Sequence, residues 1–213
     1  MIRLVLFGRQ GAGKGTQALR LSEHYRAPHI STGDMLREAV AAGSELGAKV
    51  STLLDAGELV PDDLMLEVIT ERFGSDDVRE RGFILDGYPR TRPQAEALLD
   101  RVHVDLAVDV DVPEDVVLER ISSRRVCSLG HTWSANDAEI ASGVCPICGT
   151  AVEQRADDTP DAVRARLDAY AAKTMDAVAF FAERGILVTV DGLGDPDEVA
   201  ARIFAAVDPV QAG

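Results

Sequence analysis

Gly8-Arg9-Gln10-Gly11-Ala12-Gly13-Lys14-Gly15-Thr16 combines glycines, a lysine and a hydroxyl at the spacing of a phosphate-binding loop. Glycines let successive backbone N–H groups turn toward an anion, and a following helix adds the partial positive charge of its N-terminus. Lys14 would set an ammonium on the outer phosphates, and Thr16 would bring a hydroxyl to bound magnesium. The pattern predicts a nucleoside triphosphate and leaves the reaction open. A second group has metal chemistry. Val144-Cys145-Pro146-Ile147-Cys148-Gly149 is a knuckle with a C-x-x-C pair, and Cys127-Ser128-Leu129-Gly130-His131 adds a thiolate and an imidazole upstream. A tetrahedral Cys3His site from Cys127, His131, Cys145 and Cys148 is expected. With no open coordination position it would be structural, most simply Zn2+. The competing reading is a surface histidine beside cysteines that hold nothing. His24, His29 and His103 have no partners at ligand spacing and receive no role.

The elements around these groups follow from hydrophobic patterning. Ile2-Arg3-Leu4-Val5-Leu6-Phe7 reads as a buried strand, with a helix after the glycine loop. Pro28 to Asp34 reads as a short strand and turn, and Met35 opens a helix capped by Ser31, Thr32 or Asp34. Further helical pieces break at Gly43 and Gly57, and another helix runs from Pro61 to about Phe73. Gly82–Arg90, with its chemistry at its C-terminal end, and Leu106–Val112 read as strands, each followed by a helix, the second ending near Arg124. A long helix from about Pro160 to Arg184 precedes a strand over 186–191 and a last helix from Pro196 to about Val207. Alternating strands and helices predict an α/β fold with a central parallel sheet in three layers, its ligands lying beyond the C-terminal strand ends. Asp86 and Asp191 fall at such ends. Asp86 would orient magnesium through water, or act as a structural acceptor. Residues 31–60 are helical with no strand to add to the sheet. Residues 126–154 lack helical periodicity and hold all the cysteines. Both read as insertions.

The chain has 213 residues, 46% hydrophobic, and a formal charge of −14. The apolar runs are strand-sized, so no membrane partner is expected, and the N-terminus shows no secretory pattern, so the expected location is cytoplasmic. An acidic chain lacks the basic face a nucleic-acid binder needs. If it holds polyanionic nucleotides, its cations must be concentrated locally.

Several segments together resemble the adenylate kinase branch of the nucleoside monophosphate kinases. Gly8–Thr16 is similar to the family's loop, with Gly15 between lysine and threonine. Ser31-Thr32-Gly33-Asp34-Met35-Leu36-Arg37, Leu85-Asp86-Gly87-Tyr88-Pro89-Arg90-Thr91 and Arg155-Ala156-Asp157-Asp158 match signature segments in order. The resemblance covers nearly the whole chain. It implies a P-loop core (1–30, 61–124 and 159–213), a nucleoside-monophosphate-binding insertion (31–60) and a lid (125–158). It also implies Mg2+-dependent transfer of a phosphoryl group from ATP to AMP, giving two ADP. Gly11, Ala12, Gly13, Lys14, Gly15 and Thr16 would wrap the ATP phosphates, with Arg120 and Arg124 clamping that side. Thr132 and Trp133 fall where the family has a threonine or valine and a tyrosine near ATP. Gly194 falls where a lysine backbone often meets adenine. AMP would be held by Thr32, Arg37, the backbone of Glu58, Leu59 and Val60, and by Gly87, Tyr88, Pro89 and Arg90 beside its phosphate. Gln94 would read its adenine. Arg155 and Arg166 would reach the transferring phosphate and AMP. Lys14, Arg90, Arg124, Arg155 and Arg166 would form the catalytic set. Zinc-bearing relatives usually carry a second C-x-x-C where this chain offers Cys127 and His131. A closing enzyme of this kind has little need of a partner chain, so a monomer is expected.

Two alternatives compete. A kinase for UMP or CMP would carry the same loop, although Thr32 favours AMP because pyrimidine-specific relatives tend toward alanine there. A nucleotide-dependent switch or non-catalytic binding module would need one nucleotide site rather than two. A GTPase-like switch should also show an N-K-x-D segment, which the sequence lacks.

Overall fold

Strands buried on both faces need two separate cores, and the alternation along this chain supplies them. Leu4, Leu6, Ile84, Val108 and Val110 point into one cluster, and Val5, Phe7, Phe83, Leu85 and Ala107 into the other. The computed structural model describes residues 1–211. β1 (Ile2–Phe7), α1 (Lys14–Tyr25), β2 (His29–Ser31), α2 (Thr32–Ala41), α3 (Glu45–Ala56), α4 (Asp62–Phe73) and α5 (Asp76–Arg81) form the first part. β3 (Gly82–Asp86), α6 (Arg92–Leu99), β4 (Leu106–Asp111) and α7 (Glu114–Ser123) follow. Then come three short strands, β5 (Arg124–Cys127), β6 (Thr132–Ser134) and β7 (Val152–Glu153). α8 (Pro160–Ala169), α9 (Met175–Glu183), β8 (Leu187–Asp191) and α10 (Pro196–Gln211) complete the described chain.

The main sheet is parallel in the order β2-β3-β1-β4-β8. Helices α1, α7, α8 and α10 supply the cluster on one face, and α4, α6 and α9 supply much of the other. This is the expected three-layer α/β P-loop architecture. Chain direction then collects Phe7, Ser31, Asp86, Asp111 and Asp191, each the last residue of its strand, along one edge. The antiparallel sheet β6-β5-β7 stands apart and contains the cysteine knuckles.

Several boundaries differ from the sequence expectation. Ser31 closes β2, paired with Asp86, before the helical insertion begins. α7 stops at Ser123, and Arg124 already pairs with Ser134 in the small sheet. The long helix contains a π-helical turn at Tyr170–Thr174, and α10 continues through Pro209. α5 was not anticipated, because six residues give no helical period to read. The last two residues of the expected core segment 159–213 lie outside the described residues.

α3 ends at Gly57, which adopts φ 73° with its N–H bonded to the Leu54 carbonyl. A Cβ there would sit 2.4 Å from the carbonyl oxygen of Ala162 in α8. Gly57→Ala therefore adds both left-handed strain and a backbone clash, and should destabilise the fold by about 2–3 kcal/mol. Urea unfolding checks this. The midpoint should fall with the slope unchanged, and an unshifted midpoint would mean that α3 and α8 separate freely.

Candidate active site

Along the C-terminal strand edge lies a cleft of about 760 Å³. Gly8 to Gly13 link β1 to α1 and form its floor. Gly11 shows why the loop needs glycine: φ is 83°, and a Cβ would lie 2.8 Å from both the Val117 carbonyl oxygen and Ile121 of α7. Lys14 opens α1, and its Nζ donates to the carbonyls of Gly8 (2.8 Å) and Arg9 (3.0 Å). Burial pulls its pKa below the usual lysine value, against the opposing pull of the Asp86 carboxylate. The ammonium is thus partly desolvated and hydrogen-bonded only to neutral carbonyls, with the Asp86 carboxylate acting at longer range. A phosphate oxygen would compensate it far better.

Guanidinium groups converge on the same space from separate elements. Arg90, in the turn after β3, donates through Nε to Gly87 O at 2.7 Å. Its pKa is lowered first by burial, with Asp86 opposing and Arg166 and Arg37 adding to the effect. Arg155 is pushed down to about 10 by burial and by its neighbours Arg37 and Arg124. Arg120 reaches from α7 to the carbonyls of Ala12 (3.4 Å) and Gly192 (3.2 Å). Like charges are crowded here, which is costly without anions.

Carboxylates that the sequence reading left without a role hold this cluster together. Arg124 Nε donates to Asp158 Oδ2 at 2.9 Å while its NH2 donates to Oδ1, a two-pronged pair. Gln10 of the glycine loop donates to the same Asp158 Oδ1 at 3.1 Å. Asp157 accepts from Arg166 and lies 3.6 Å from Arg37. Burial raises the Asp157 pKa, but Arg166 and Arg37 more than offset it, and the net shift is downward. Asp34 pairs with Arg37 and stands 3.7 Å from Arg155. For Asp157 and Asp158 the signal in the sequence is the pair of acids that follows Arg155-Ala156 in a motif segment. Their burial could not be read from it.

The cleft brings together every nucleotide-site residue named from the sequence. Thr132 and Trp133 of β6, Gly194 after β8, Thr32 and Arg37 of α2 and the Glu58–Val60 turn all line it. Tyr88 contributes least as a side chain, because its ring fills the second core with only 1% exposure and its hydroxyl donates to Gln94 O at 3.3 Å. Pro89 follows a cis peptide bond. Gln94 is buried, its amide bonded at both ends. Asp86 Oδ2 lies 4.0 Å from where a Cβ on Gly15 would stand, so its carboxylate overhangs the start of α1 beside Thr16. His29, which had no assigned role, lines the cleft with Nε2 3.9 Å from Asp86 Oδ2 and no hydrogen-bond partner.

In the small sheet, the ligand atoms of Cys127, His131, Cys145 and Cys148 all lie within 4.8 Å of one another. His131 Nδ1 is 3.3 Å from Cys127 Sγ and 3.6 Å from Cys145 Sγ, and Cys148 Sγ is 3.5 Å from Cys127 Sγ. A tetrahedral ion at about 2.3 Å from sulfur and about 2.0–2.1 Å from nitrogen separates its donors by about 3.5–3.8 Å. The donor set and spacing fit Zn2+.

Comparison with known proteins agrees with this geometry. The family model described as adenylate kinase matches residues 6–186. An adenylate kinase of Methanosarcina barkeri is 43% identical over 97% of this chain and 98% of its own length. Those of Kosmotoga olearia (45%, over 95% and 97%) and Acidothermus cellulolyticus (42%, over 97% and 98%) are similar in extent. The chain therefore belongs to the adenylate kinase family, phosphotransferases that convert ATP and AMP reversibly into two ADP.

Proposed function

We propose that ATP lies with its phosphates on Gly11–Thr16, flanked by Arg120, Arg124, Thr132, Trp133 and Gly194. AMP lies opposite, against Thr32, Arg37, the Glu58–Val60 backbone, the Gly87–Arg90 turn and Gln94. The observation that carries this reading is the convergence of Lys14 with Arg37, Arg90, Arg124, Arg155 and Arg166 on one cleft of a chain whose net charge is −14. An AMP phosphate oxygen attacks the γ-phosphorus as the bond to the β–γ bridging oxygen breaks. The attacking oxygen is already ionised at neutral pH, so no general base is needed and no proton moves. The residues align the two phosphates and neutralise charge on the equatorial oxygens. Arg90 and Arg155 are half-buried among like-charged neighbours, so they gain most when phosphate charge arrives. Asp34, Asp157 and Asp158 hold the guanidinium groups in the cleft before substrate binds.

Mg2+ accompanying ATP would be held by Thr16 and, through water, by Asp86. Bound there, it supplies further neutralisation of the phosphates. Residues 31–60 and 125–158 act as the AMP-binding insertion and the lid. Their closure, a known property of adenylate kinases, excludes water as a competing acceptor. The lid carries structural Zn2+ on Cys127, His131, Cys145 and Cys148. The enzyme works as a cytoplasmic monomer on ATP, AMP and ADP, with neither nucleic acid nor membrane as a partner. The net charge of −14 speaks against a nucleic-acid partner.

Lys14→Met should lower kcat by about 100- to 1,000-fold, the usual cost of removing one group that meets transition-state charge. A coupled ADP assay checks this alongside circular dichroism, and a folded variant with wild-type turnover would remove Lys14 from the catalytic set. Elemental analysis should find about one zinc per chain, and chelation should lower the melting temperature by several degrees. His131→Ala should lose the metal and His131→Cys keep it. Full metal content in His131→Ala would exclude the imidazole as fourth ligand.

A further inference from the structure

Gln94 lies in the first turn of α6, behind the cap Thr91. It is only 3% exposed but reaches the cleft. Its carboxamide is gripped at both ends. The Arg90 backbone N–H donates to Oε1 at 2.8 Å, and Nε2 donates to Asp62 Oδ1 at 2.6 Å. Asp62, the first residue of α4, is itself fixed, because its other oxygen accepts from the Thr91 hydroxyl at 3.0 Å. Asp62 is not among the residues lining the cleft.

A primary amide turned by a half-rotation exchanges its oxygen and its NH2 group. Ordinarily the two orientations are close in energy. Here the partners cannot adapt, because a carboxylate only accepts and a backbone N–H only donates. The turned amide would set Oε1 against the Asp62 carboxylate and Nε2 against the Arg90 N–H. Each mismatch leaves one end of the buried Gln94 amide without its partner, while Asp62 itself stands at the surface. In the observed orientation each end keeps one unused position, a lone pair on Oε1 and a hydrogen on Nε2. Adenine offers the complement, an acceptor at N1 beside a donor at the 6-amino group. A 6-oxopurine offers the reverse, N1–H beside an oxygen acceptor.

We propose that Asp62 is a positioning residue that gives the monophosphate site its preference for adenine over 6-oxopurines, by locking the Gln94 carboxamide against rotation. The proposal rests on the reading of Gln94 as the group that meets the AMP base. Asp62 itself touches no substrate.

The test is steady-state phosphorylation of AMP and of IMP by MgATP in the wild type and in Asp62→Asn, Asp62→Ala and Gln94→Ala. Asp62→Asn is isosteric and can still accept from Thr91, but its amide can face a turned Gln94. The ratio of kcat/KM for AMP to that for IMP should fall about tenfold, roughly the loss of one such charge-assisted, part-buried bond. KM for AMP should rise, and KM for ATP should stay within about twofold. Asp62→Ala should move the ratio in the same direction. General destabilisation lowers both activities together and leaves the ratio alone, so the ratio reads orientation. If Gln94→Ala abolishes discrimination while both Asp62 variants keep the wild-type ratio, the lock is overturned and base reading by Gln94 stands. If Gln94→Ala itself leaves KM for AMP and the ratio unchanged, Gln94 does not meet the base, and the lock fails with that reading.

Discussion

Half-buried cations crowded into one cleft set the terms for much of this structure. Burial alone disfavours the charged forms of Lys14, Arg90 and Arg155, and each arginine worsens the position of the next. Such a cluster persists in the absence of phosphates only if other groups hold it. The loop carbonyls of Gly8 and Arg9 do this for Lys14, and buried carboxylates do it for the arginines. These contacts also join distant parts of the chain. Asp158 links Gln10 of the glycine loop to Arg124 of the small sheet, and Asp157 links α8 to α2 through Arg166 and Arg37. The carboxylates thus act as stand-ins for phosphate. Guanidinium groups already oriented by them lose less entropy when the nucleotides arrive.

Position is supplied by the parallel sheet. All its strands run the same way, so their C-terminal ends fall on one edge, and the loops beyond them can converge without any strand reversing. The close approach of the glycine loop to α7 depends on the absence of a Cβ at Gly11. The two cores behind the loop, one on each sheet face, fix the strand ends to which Ser31 and Asp86 belong.

Features with a local signature were legible in the sequence. The glycine loop, the Asp86–Arg90 turn and the C-x-x-C knuckle each carry their chemistry within a few consecutive residues. The parallel sheet was legible through alternating periods. Groups that act through distant neighbours were not. Asp157 and Asp158 look like ordinary surface acids until burial and pairing with Arg124 and Arg166 are seen. Asp62 reads as a favourable acid in the first turn of a helix, which it also is, and nothing local points to an amide far along the chain. The π-helical turn in the 160–184 helix was hidden for a related reason. Helical composition continues through it, while the extra residue per turn leaves no mark in the pattern.

The small sheet shows how a weak unit can still place residues with precision. Its strands are two to four residues long, and Leu129, Val144 and Ile147 remain exposed, so apolar burial cannot supply its rigidity. The clustered thiols and imidazole offer another source, since one ion held by all four as proposed would fix both knuckles at once. That constraint runs directly into the cleft. Cys127 ends β5 and Arg124 begins it, while His131 immediately precedes Thr132 and Trp133 of β6. The pairing of Arg124 with Ser134 and of Arg125 with Trp133 carries the geometry of this sheet to Arg124, Trp133 and Ser134, which line the cleft. In this chain the spacing of the cluster around His131 is therefore tied, through β5 and β6, to the placement of Arg124.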